Sequence, residues 1–306
     1  MSISSDGLTR REFLRRGSKV ATGAFGVVLA ACSTQQTMVK SNAAQTDARM
    51  QFGLVTYLWG KDWDLPQLIR NCETAGLYGV ELRVEHAHHV SPALNARQRY
   101  EVKLRFQNSP VNLVGFGTNY AFHYTDPKEV QQNLEDAKAY VRLSHDVGGT
   151  GVKVKPNGLP DGVPVEKTTE QIGNALNDLG EYANSFGQEI RVEVHGSKTQ
   201  RLPIMKQIFD HVTQPNVGMC WNCNDTDLDG KGLESNFNLV KDRLGDTVHV
   251  RELNIGDYPY QELMNLFVKN QYHGWILLEA RTNPGDRIKA MAQQKQVFRQ
   301  MVQKAS

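Results

Sequence analysis

Carboxylate, amide and imidazole side chains stand at the ends of four successive apolar segments in the second half of the chain. They are Glu193, Asn222, His249 and Glu279. Together they offer three oxygens and one nitrogen, a hard donor set that suits one divalent ion: manganese, magnesium or cobalt, with zinc also compatible. Without a cation, such groups would repel one another or lie unsatisfied in an apolar site. The pattern predicts a metal site, unless these side chains face outward or form salt bridges at the rim.

These segments belong to a regular alternation of short apolar runs and longer amphipathic stretches. The runs predict strands at 52–57, 79–83, 111–117, 151–155, 190–195, 217–222, 248–253 and 275–280. The longer stretches predict helices at 65–75, 127–146, 168–186, 202–211, 237–244, 261–269 and 287–304. Repeated strand–helix units imply a parallel sheet with right-handed crossovers, and eight units over residues 51–306 match a single α/β fold, the closed (β/α)8 TIM barrel. An open doubly wound sheet is the alternative, but residues 57–61 lack its glycine-rich dinucleotide turn.

The N-terminal residues have a different organisation. Residues 9–15, with Arg10 and Arg11 in the middle, resemble the twin-arginine export motif. The mildly apolar stretch 20–31 that follows is shorter than the roughly 20 residues of a transmembrane helix and fits a signal peptide. It ends in Leu-Ala-Ala-Cys at Cys32, which resembles a bacterial lipobox. The alternative is a cytosolic amphipathic helix with a chance pair of arginines.

We therefore expect a signal peptide at 1–31, a flexible tether at 32–50 and the barrel at 51–306. The tether is rich in Ser, Thr, Gln and Ala, a composition typical of linkers. The mature protein would be periplasmic and attached to the membrane only through lipid on Cys32.

Composition and charge exclude several classes of protein. With 40% hydrophobic and 22% charged residues, the chain is neither disordered nor a polytopic membrane protein. The net charge is +2, but residues 1–31 hold five basic and two acidic side chains, which leaves 30 basic against 31 acidic residues in the remainder. A nearly neutral domain offers no strong electrostatic surface for nucleic acid, so none is expected as a partner.

Two motifs look like ligand sites but lack the required context. Cys220 and Cys223 have C-x-x-C spacing, yet they lie at the end of a predicted strand, where buried thiols are favoured over a redox or zinc role. Residues 225–230 begin like a calcium loop, but Asn236 stands where such a loop needs a bidentate Glu. A polar loop near the mouth of the barrel is the simpler interpretation.

Five short segments, in this order and spacing, resemble the xylose isomerase-like barrel superfamily, which includes sugar-phosphate isomerases/epimerases and ketose 3-epimerases. They are GVELR at 79–83, VEVHG at 192–196, VGMCWN at 217–222, VHVRE at 248–252 and ILLE at 276–279. The resemblance covers about residues 51–303. It implies that Glu193 and Glu279 bind metal and move protons on opposite faces of the substrate, with His249 as a ligand.

The chain departs from this resemblance at two positions. Asn222 stands where the related enzymes usually have a metal-binding Asp, and Asp225 stands where they often have a histidine. An Asn can still donate a carbonyl oxygen but carries no charge, so we expect weaker metal binding.

Further polar residues at strand ends are expected to contact the substrate. Lys155 and Arg251 would hold a carbonyl or hydroxyl oxygen, with Glu81 and His195 beside them. Trp59 offers an aromatic face that would stack on a sugar ring, although core packing explains it equally well.

Three functions fit this set of residues. The first is an exported isomerase or epimerase of a sugar or sugar derivative, which abstracts a proton beside a carbonyl to give an enediolate. The second is a lyase or hydrolase of 3-keto-glycosides that uses the same metal site. The third is a non-catalytic sugar-binding lipoprotein, which Asn222 favours. In each case the partner is a small sugar, and a homo-oligomer is compatible with all three.

The export motif gives a first test. Replacing both Arg10 and Arg11 by Lys should leave unprocessed precursor in the cytoplasm, because the twin-arginine route reads that pair. Cys32→Ala should release the protein from the membrane fraction, since the lipid site is lost. Cell fractionation and immunoblotting measure both outcomes, and normal processing of the double-Lys variant would contradict the export prediction.

Overall fold

A computed structural model describes residues 50–306 of the chain. Eight parallel strands close into a barrel in sequence order, with β8 paired to β1. The strands are β1 Gln51–Val55, β2 Gly79–Arg83, β3 Asn112–Ala121, β4 Gly151–Lys155, β5 Glu189–Glu193, β6 Val217–Trp221, β7 Leu244–Val250 and β8 Trp275–Leu278. The expected (β/α)8 TIM barrel is confirmed.

Nine α-helices lie in the described part of the chain. They are α1 Tyr57–Gly60, α2 Leu65–Ala75, α3 Ala96–Gln107, α4 Pro127–Val147, α5 Val165–Asn184, α6 Leu202–Asp210, α7 Leu233–Val240, α8 Tyr260–Lys269 and α9 Arg287–Ala305. Two 3-10 turns, Asp225–Leu228 and Lys241–Arg243, flank α7. None of the helices within residues 50–306 is both long and apolar enough to cross a membrane.

The local sequence explains how these helices begin and end. Before α2, the Asp64 side chain accepts a hydrogen bond from the backbone N–H of Gln67 at 2.7 Å, and Gly76 ends the helix in the left-handed conformation with φ of 72°. A side-chain cap at the start and a glycine at the end satisfy backbone groups that the helix itself leaves free. The apolar face of α2 is buried in the main core.

Helix α3 and the bounds of α7 differ from the sequence expectation. Only Val102 and Phe106 of α3 are buried, so its apolar periodicity is too weak to predict a helix, although Asn95 and Gln98 form a capping box at its start. Helix α7 ends at Val240 rather than 244, because Leu244 pairs with Met219 and belongs to β7.

Two large side chains, Arg191 and Trp275, fill the barrel at the amino-terminal ends of its strands, in a layer otherwise rich in glycine. We call this layer the floor of the barrel. Arg191 is buried and donates hydrogen bonds to Glu189 Oε2 at 2.6 Å and to the Val114 carbonyl at 2.8 Å. The Trp275 ring lies directly over Gly79. These side chains fill the amino-terminal end of the barrel, opposite to the polar groups at the carboxyl ends of the strands.

Residues 1–49 lie outside the described part of the chain. The predicted signal peptide, the lipid site at Cys32 and nearly all of the tether belong to this segment, so these expectations stay predictions.

The floor of the barrel gives a stability prediction. Gly79→Ala should lower the free energy of unfolding by about 1–3 kcal/mol, because the new methyl group would collide with the Trp275 ring in a closed core. Gly285→Ala is the matched control, since a Cβ there meets no atom within 4 Å. Urea denaturation measures both variants, and equal stabilities would show that the barrel floor is not tightly packed.

Candidate metal centre and substrate site

Three of the four predicted metal ligands converge above the barrel floor. Glu193 ends β5, His249 lies in β7 and Glu279 follows β8. Each offers a ligand atom, and these atoms all lie within 4.8 Å of one another. All three side chains are buried, so the cluster is a compact set of two carboxylates and one imidazole.

Glu193 is the most heavily engaged of the three. Lys153 on β4 donates a hydrogen bond to Glu193 Oε2, and Lys155 Nζ lies 3.9 Å from the same oxygen. Burial raises the pKa of Glu193, but the ammonium groups of Lys153 and Lys155 outweigh this effect and hold the pKa below its ordinary value. The carboxylate is therefore ionised and already paired with a cation.

The fourth predicted ligand, Asn222, lies directly after β6 and also contacts Glu193. Its amide Nδ2 donates to Glu193 Oε1 at 3.0 Å, so both oxygens of that carboxylate accept hydrogen bonds. In this orientation Asn222 is a donor to Glu193. A half-turn of the amide would instead bring its oxygen, a suitable ligand for a hard cation, to the same place.

Glu81, a predicted substrate contact, is buried against His249 of the candidate metal site, and its substrate role stays a prediction. Its side chain on β2 is fully buried, and its Oε1 lies 3.2 Å from His249 Nε2. The other ring nitrogen, Nδ1, lies 3.9 Å from Glu193 Oε1. In metal-binding histidines, a carboxylate often contacts one ring nitrogen and thereby orients the second ring nitrogen toward the metal. Glu81 and Nδ1 of His249 have this arrangement.

Incompletely satisfied polar atoms in this cluster test whether it fits a cation. Both ring nitrogens of His249 and both carboxylate oxygens of Glu81 are buried, and the 3.2 Å contact between His249 Nε2 and Glu81 Oε1 lacks hydrogen-bond geometry, so these atoms are incompletely satisfied within residues 50–306. Buried polar atoms are nearly always partnered in proteins. A divalent ion held by Glu193, His249 and Glu279 would supply a partner for an imidazole nitrogen and offset the carboxylate charge, so these residues fit such an ion.

Of the predicted substrate contacts, Lys155 and His195 lie beside Glu193, whereas Arg251 lies near Tyr260 and Asp227. Burial and the neighbouring Lys153 charge lower the pKa of Lys155 to about 8. His195 is half-buried, and its Nδ1 lies 3.0 Å from Asn157 Oδ1. The Nε of Arg251 is buried without a partner among the described residues. These side chains can hold oxygen atoms of a ligand, and their roles stay predictions.

Trp59 has a packing role in the structure. It lies in α1, its ring is buried, and its indole N–H donates to the Thr282 carbonyl at 2.9 Å. This bond ties the loop after β8 to the loop after β1. The predicted stacking of Trp59 on a sugar stays a prediction, while the alternative of core packing accounts for every contact described here.

The C-x-x-C pair and the calcium-like segment 225–230 both contribute to packing and turn structure. Cys220 and Cys223 are buried free thiols. Asp227, inside the calcium-like segment, accepts hydrogen bonds from the Asn224 N–H at 2.9 Å and the Tyr258 hydroxyl at 2.7 Å. Burial raises the pKa of Asp227 to about 7. The segment is a short capped turn, as the simpler interpretation expected.

Lys153 is a site residue that the sequence reasoning missed. It lies two positions before Lys155 in β4, and residues two apart in a strand face the same side. A buried lysine is rare unless it is paired, so the repeated Lys-Val-Lys pattern was the available signal.

The sequence of residues 69–301 matches the family model described as xylose isomerase-like TIM barrel. The chain belongs to this family. Among curated proteins no relative matches.

Several solved structures share the fold of this chain at low sequence identity. A 3-keto-D-glucoside 4-epimerase from E. coli has a TM-score of 0.69 at 14% identity and covers 82% of this chain and 99% of its own. An L-ribulose 3-epimerase has a TM-score of 0.72 at 13% identity, covering 84% and 95%. The IOLI protein with a zinc atom has a TM-score of 0.71 at 13% identity, covering 84% and 99%. At these identities the similarity shows the fold alone.

The cluster predicts how metal binding responds to substitution. Glu193→Gln and His249→Ala should each weaken Mn²⁺ binding, because the first removes a negative charge and the second removes the ligand nitrogen. Asn222→Asp should tighten it by about tenfold or more, since a second carboxylate would lie beside Glu193. Isothermal titration of EDTA-treated protein measures all three.

The exposed Glu234→Gln is the matched control and should leave metal affinity unchanged. If Glu193→Gln and His249→Ala also bind Mn²⁺ like the unchanged protein, the metal site is elsewhere.

Proposed function

We propose that this protein is an exported, metal-dependent sugar isomerase or epimerase that transfers a proton next to a substrate carbonyl. The observation that carries the proposal is the convergence of Glu193, His249 and Glu279 at the carboxyl ends of β5, β7 and β8. Active sites of (β/α)8 barrels lie at this end. The sugar epimerases among the structural neighbours support the same kind of chemistry.

The proposed site combines a cation with a free base. A divalent ion held by Glu193, His249 and Glu279 would polarise a substrate carbonyl and acidify the adjacent C–H group. The Glu279 carboxylate receives no hydrogen bond from any side chain among residues 50–306, so it is available to accept that proton. It follows β8 and lies in the cluster at the carboxyl ends of the strands, where a substrate would lie.

Glu193 has a different environment from Glu279, so we assign it a different role in proton transfer. One of its oxygens accepts from Lys153 and the other from Asn222. With its pKa held low by the lysines, Glu193 is a weaker base than an unpaired carboxylate. We assign proton removal to Glu279. Glu193 would transfer a proton on the opposite face of the substrate, but only after its hydrogen bond with Lys153 or Asn222 breaks and frees one of its oxygens.

The hydrogen bond from Lys153 also favours a second candidate, a non-catalytic sugar-binding protein. The ammonium group satisfies Glu193 without a metal, and Asn222 removes a charge that would attract one. A binding protein of this kind would take up sugar but exchange no substrate hydrogen.

The 3-keto-glycoside lyase or hydrolase remains the runner-up enzyme, and the similarity to a 3-keto-D-glucoside 4-epimerase favours testing it. Proton removal would be the same, followed by loss of the group β to the carbonyl. Product analysis with a 3-keto-glucoside separates the two, because only elimination or hydrolysis releases the aglycone.

Hydrogen exchange with solvent tests the proposal directly. The Mn²⁺-loaded protein should introduce deuterium from D₂O into a ketose or keto-glycoside, observed by NMR. Glu279→Gln should reduce the rate by at least about 10²-fold, the usual size of a general-base contribution. Glu193→Gln should reduce it as well, with a further loss of metal.

Glu234→Gln, on the outer surface, should exchange at the unchanged rate. If both Glu193→Gln and Glu279→Gln exchange substrate hydrogen at the full rate, neither glutamate transfers the proton, and His195 becomes the candidate base. Saturable sugar binding with no exchange by the unchanged protein would support the binding protein instead.

A further inference from the structure

The Glu252 carboxylate lies just beyond the end of β7 and is buried, although no step of the proposed reaction uses it. It contacts residues 279–286, the segment between β8 and α9, which we call the β8 loop. Its Oε1 accepts hydrogen bonds from the Thr282 N–H at 2.8 Å, the Thr282 hydroxyl at 2.5 Å and the Arg281 N–H at 3.1 Å. Its Oε2 lies 3.2 Å from the same Arg281 nitrogen. One carboxylate thus satisfies two consecutive backbone amides and a hydroxyl of the β8 loop.

Glu252 is ionised in this position. Burial raises its pKa, but the hydrogen bonds from Thr282 and Arg281 outweigh this effect and hold the pKa below its ordinary value. Hydrogen bonds to a charged acceptor are about twice as strong as those between neutral groups. An amide in place of the carboxylate would lose this strength, and its NH₂ group could not accept from a backbone N–H.

The β8 loop has few other attachments. Glu279 donates its backbone N–H to the Val250 carbonyl at 2.7 Å, which extends the pairing of β7 with β8 by one residue. From there to the start of α9, the hydrogen bonds that join the loop to the rest of the described structure come from Glu252 and from the Trp59 indole, which donates to a loop carbonyl at 2.9 Å. The position of the loop therefore depends strongly on Glu252.

Glu279 is close enough to these contacts for its own position to depend on them. Two residues of chain span at most about 7 Å, so the backbone of Glu279 lies within that distance of the Arg281 amide. Glu252 also follows His249 by three residues in the β7 segment. The contact thus joins the segment that carries the imidazole of the metal cluster to the segment that carries its second carboxylate.

We propose that Glu252 is a positioning residue, which holds the β8 loop so that the Glu279 carboxylate lies where metal binding and proton removal require it. The role of Glu279 in this statement rests on the proposed function, whereas the contact between Glu252 and the loop does not depend on any reaction. A reacting or ligating group must be held to within about 0.5 Å, and a misplacement of about 1 Å can cost about 10²-fold in rate. Glu252 would act only through Glu279.

The test compares the effect of Glu252→Gln on Mn²⁺ affinity in two backgrounds, by isothermal titration of EDTA-treated protein. With Glu279 present, we expect binding to weaken by about threefold to tenfold, because the carboxylate ligand is displaced. In the Glu279→Gln protein, the same substitution should change affinity by less than about twofold, since the carboxylate that Glu252 positions is already gone. For hydrogen exchange into a ketose, Glu252→Gln should lower kcat by about tenfold and change KM by less than about threefold.

Thr282 provides a matched pair of substitutions on the other side of the contact. Thr282→Val keeps the shape and loses the hydroxyl donor, so it should reproduce part of the loss in Mn²⁺ affinity, whereas Thr282→Ser keeps the hydroxyl and should retain most of the affinity. Asp126→Asn is the control, because that carboxylate also accepts a backbone N–H, from Lys128 at 2.9 Å, but at the start of α4. It should leave affinity and rate unchanged. Circular dichroism confirms that each variant is folded at the assay temperature.

Three outcomes would overturn the inference: unchanged Mn²⁺ affinity in Glu252→Gln, the same loss with and without Glu279, or equal affinities of Thr282→Val and Thr282→Ser. The same loss in both backgrounds would show that Glu252 only stabilises the barrel.

Failure of the proposed function gives a different result. If the unchanged protein binds Mn²⁺ but exchanges no substrate hydrogen, the enzyme is rejected, and the affinities in the two backgrounds still decide the role of Glu252. If the unchanged protein binds no Mn²⁺, both the metal-dependent function and the positioning role are rejected.

Discussion

The ionised carboxylate of Glu193, buried between an ammonium group and an amide, is the interaction on which the site depends. Lys153 and Asn222 each donate to one of its oxygens. Removing one partner of a buried ion pair typically costs about 3–5 kcal/mol, because the other charge is left in a medium that cannot solvate it. The strands β4, β5 and β6 are therefore tied together through this carboxylate as well as through their backbones.

Such a cluster is tolerated because the barrel below it is closed and the barrel above it is open. Arg191 forms a second, separate ionic group with Glu189 in the floor, where glycines on neighbouring strands leave room for its guanidinium. Trp275 completes the closure with apolar surface. The polar groups at the carboxyl ends of the strands therefore lie above a packed layer, at the end of the barrel where active sites of this fold are found.

The sequence predicted those features that depend on periodicity and order. Eight apolar runs fixed the number of strands, and the position of a polar residue at a strand end was enough to bring Glu193, His249 and Glu279 together. Distances between side chains from different strands could not be predicted, because they depend on register and rotamer. Lys153 was missed for this reason, and the contact of Glu81 with His249 could not be predicted either.

The two side chains that donate hydrogen bonds to Glu193, Lys153 and Asn222, have a common effect on metal binding. An Asn at position 222 removes a negative charge from the site, and Lys153 adds a positive one, so both lower the attraction for a divalent cation. Both also donate hydrogen bonds to the same carboxylate and keep it satisfied without metal. In many metal sites the ligands are unpaired before binding, and the metal then contributes to folding. Here the protein supplies its own cation to Glu193, so this carboxylate is compensated before any ion is bound, and the affinity of the site for a divalent ion would depend on Lys153 and Asn222 together.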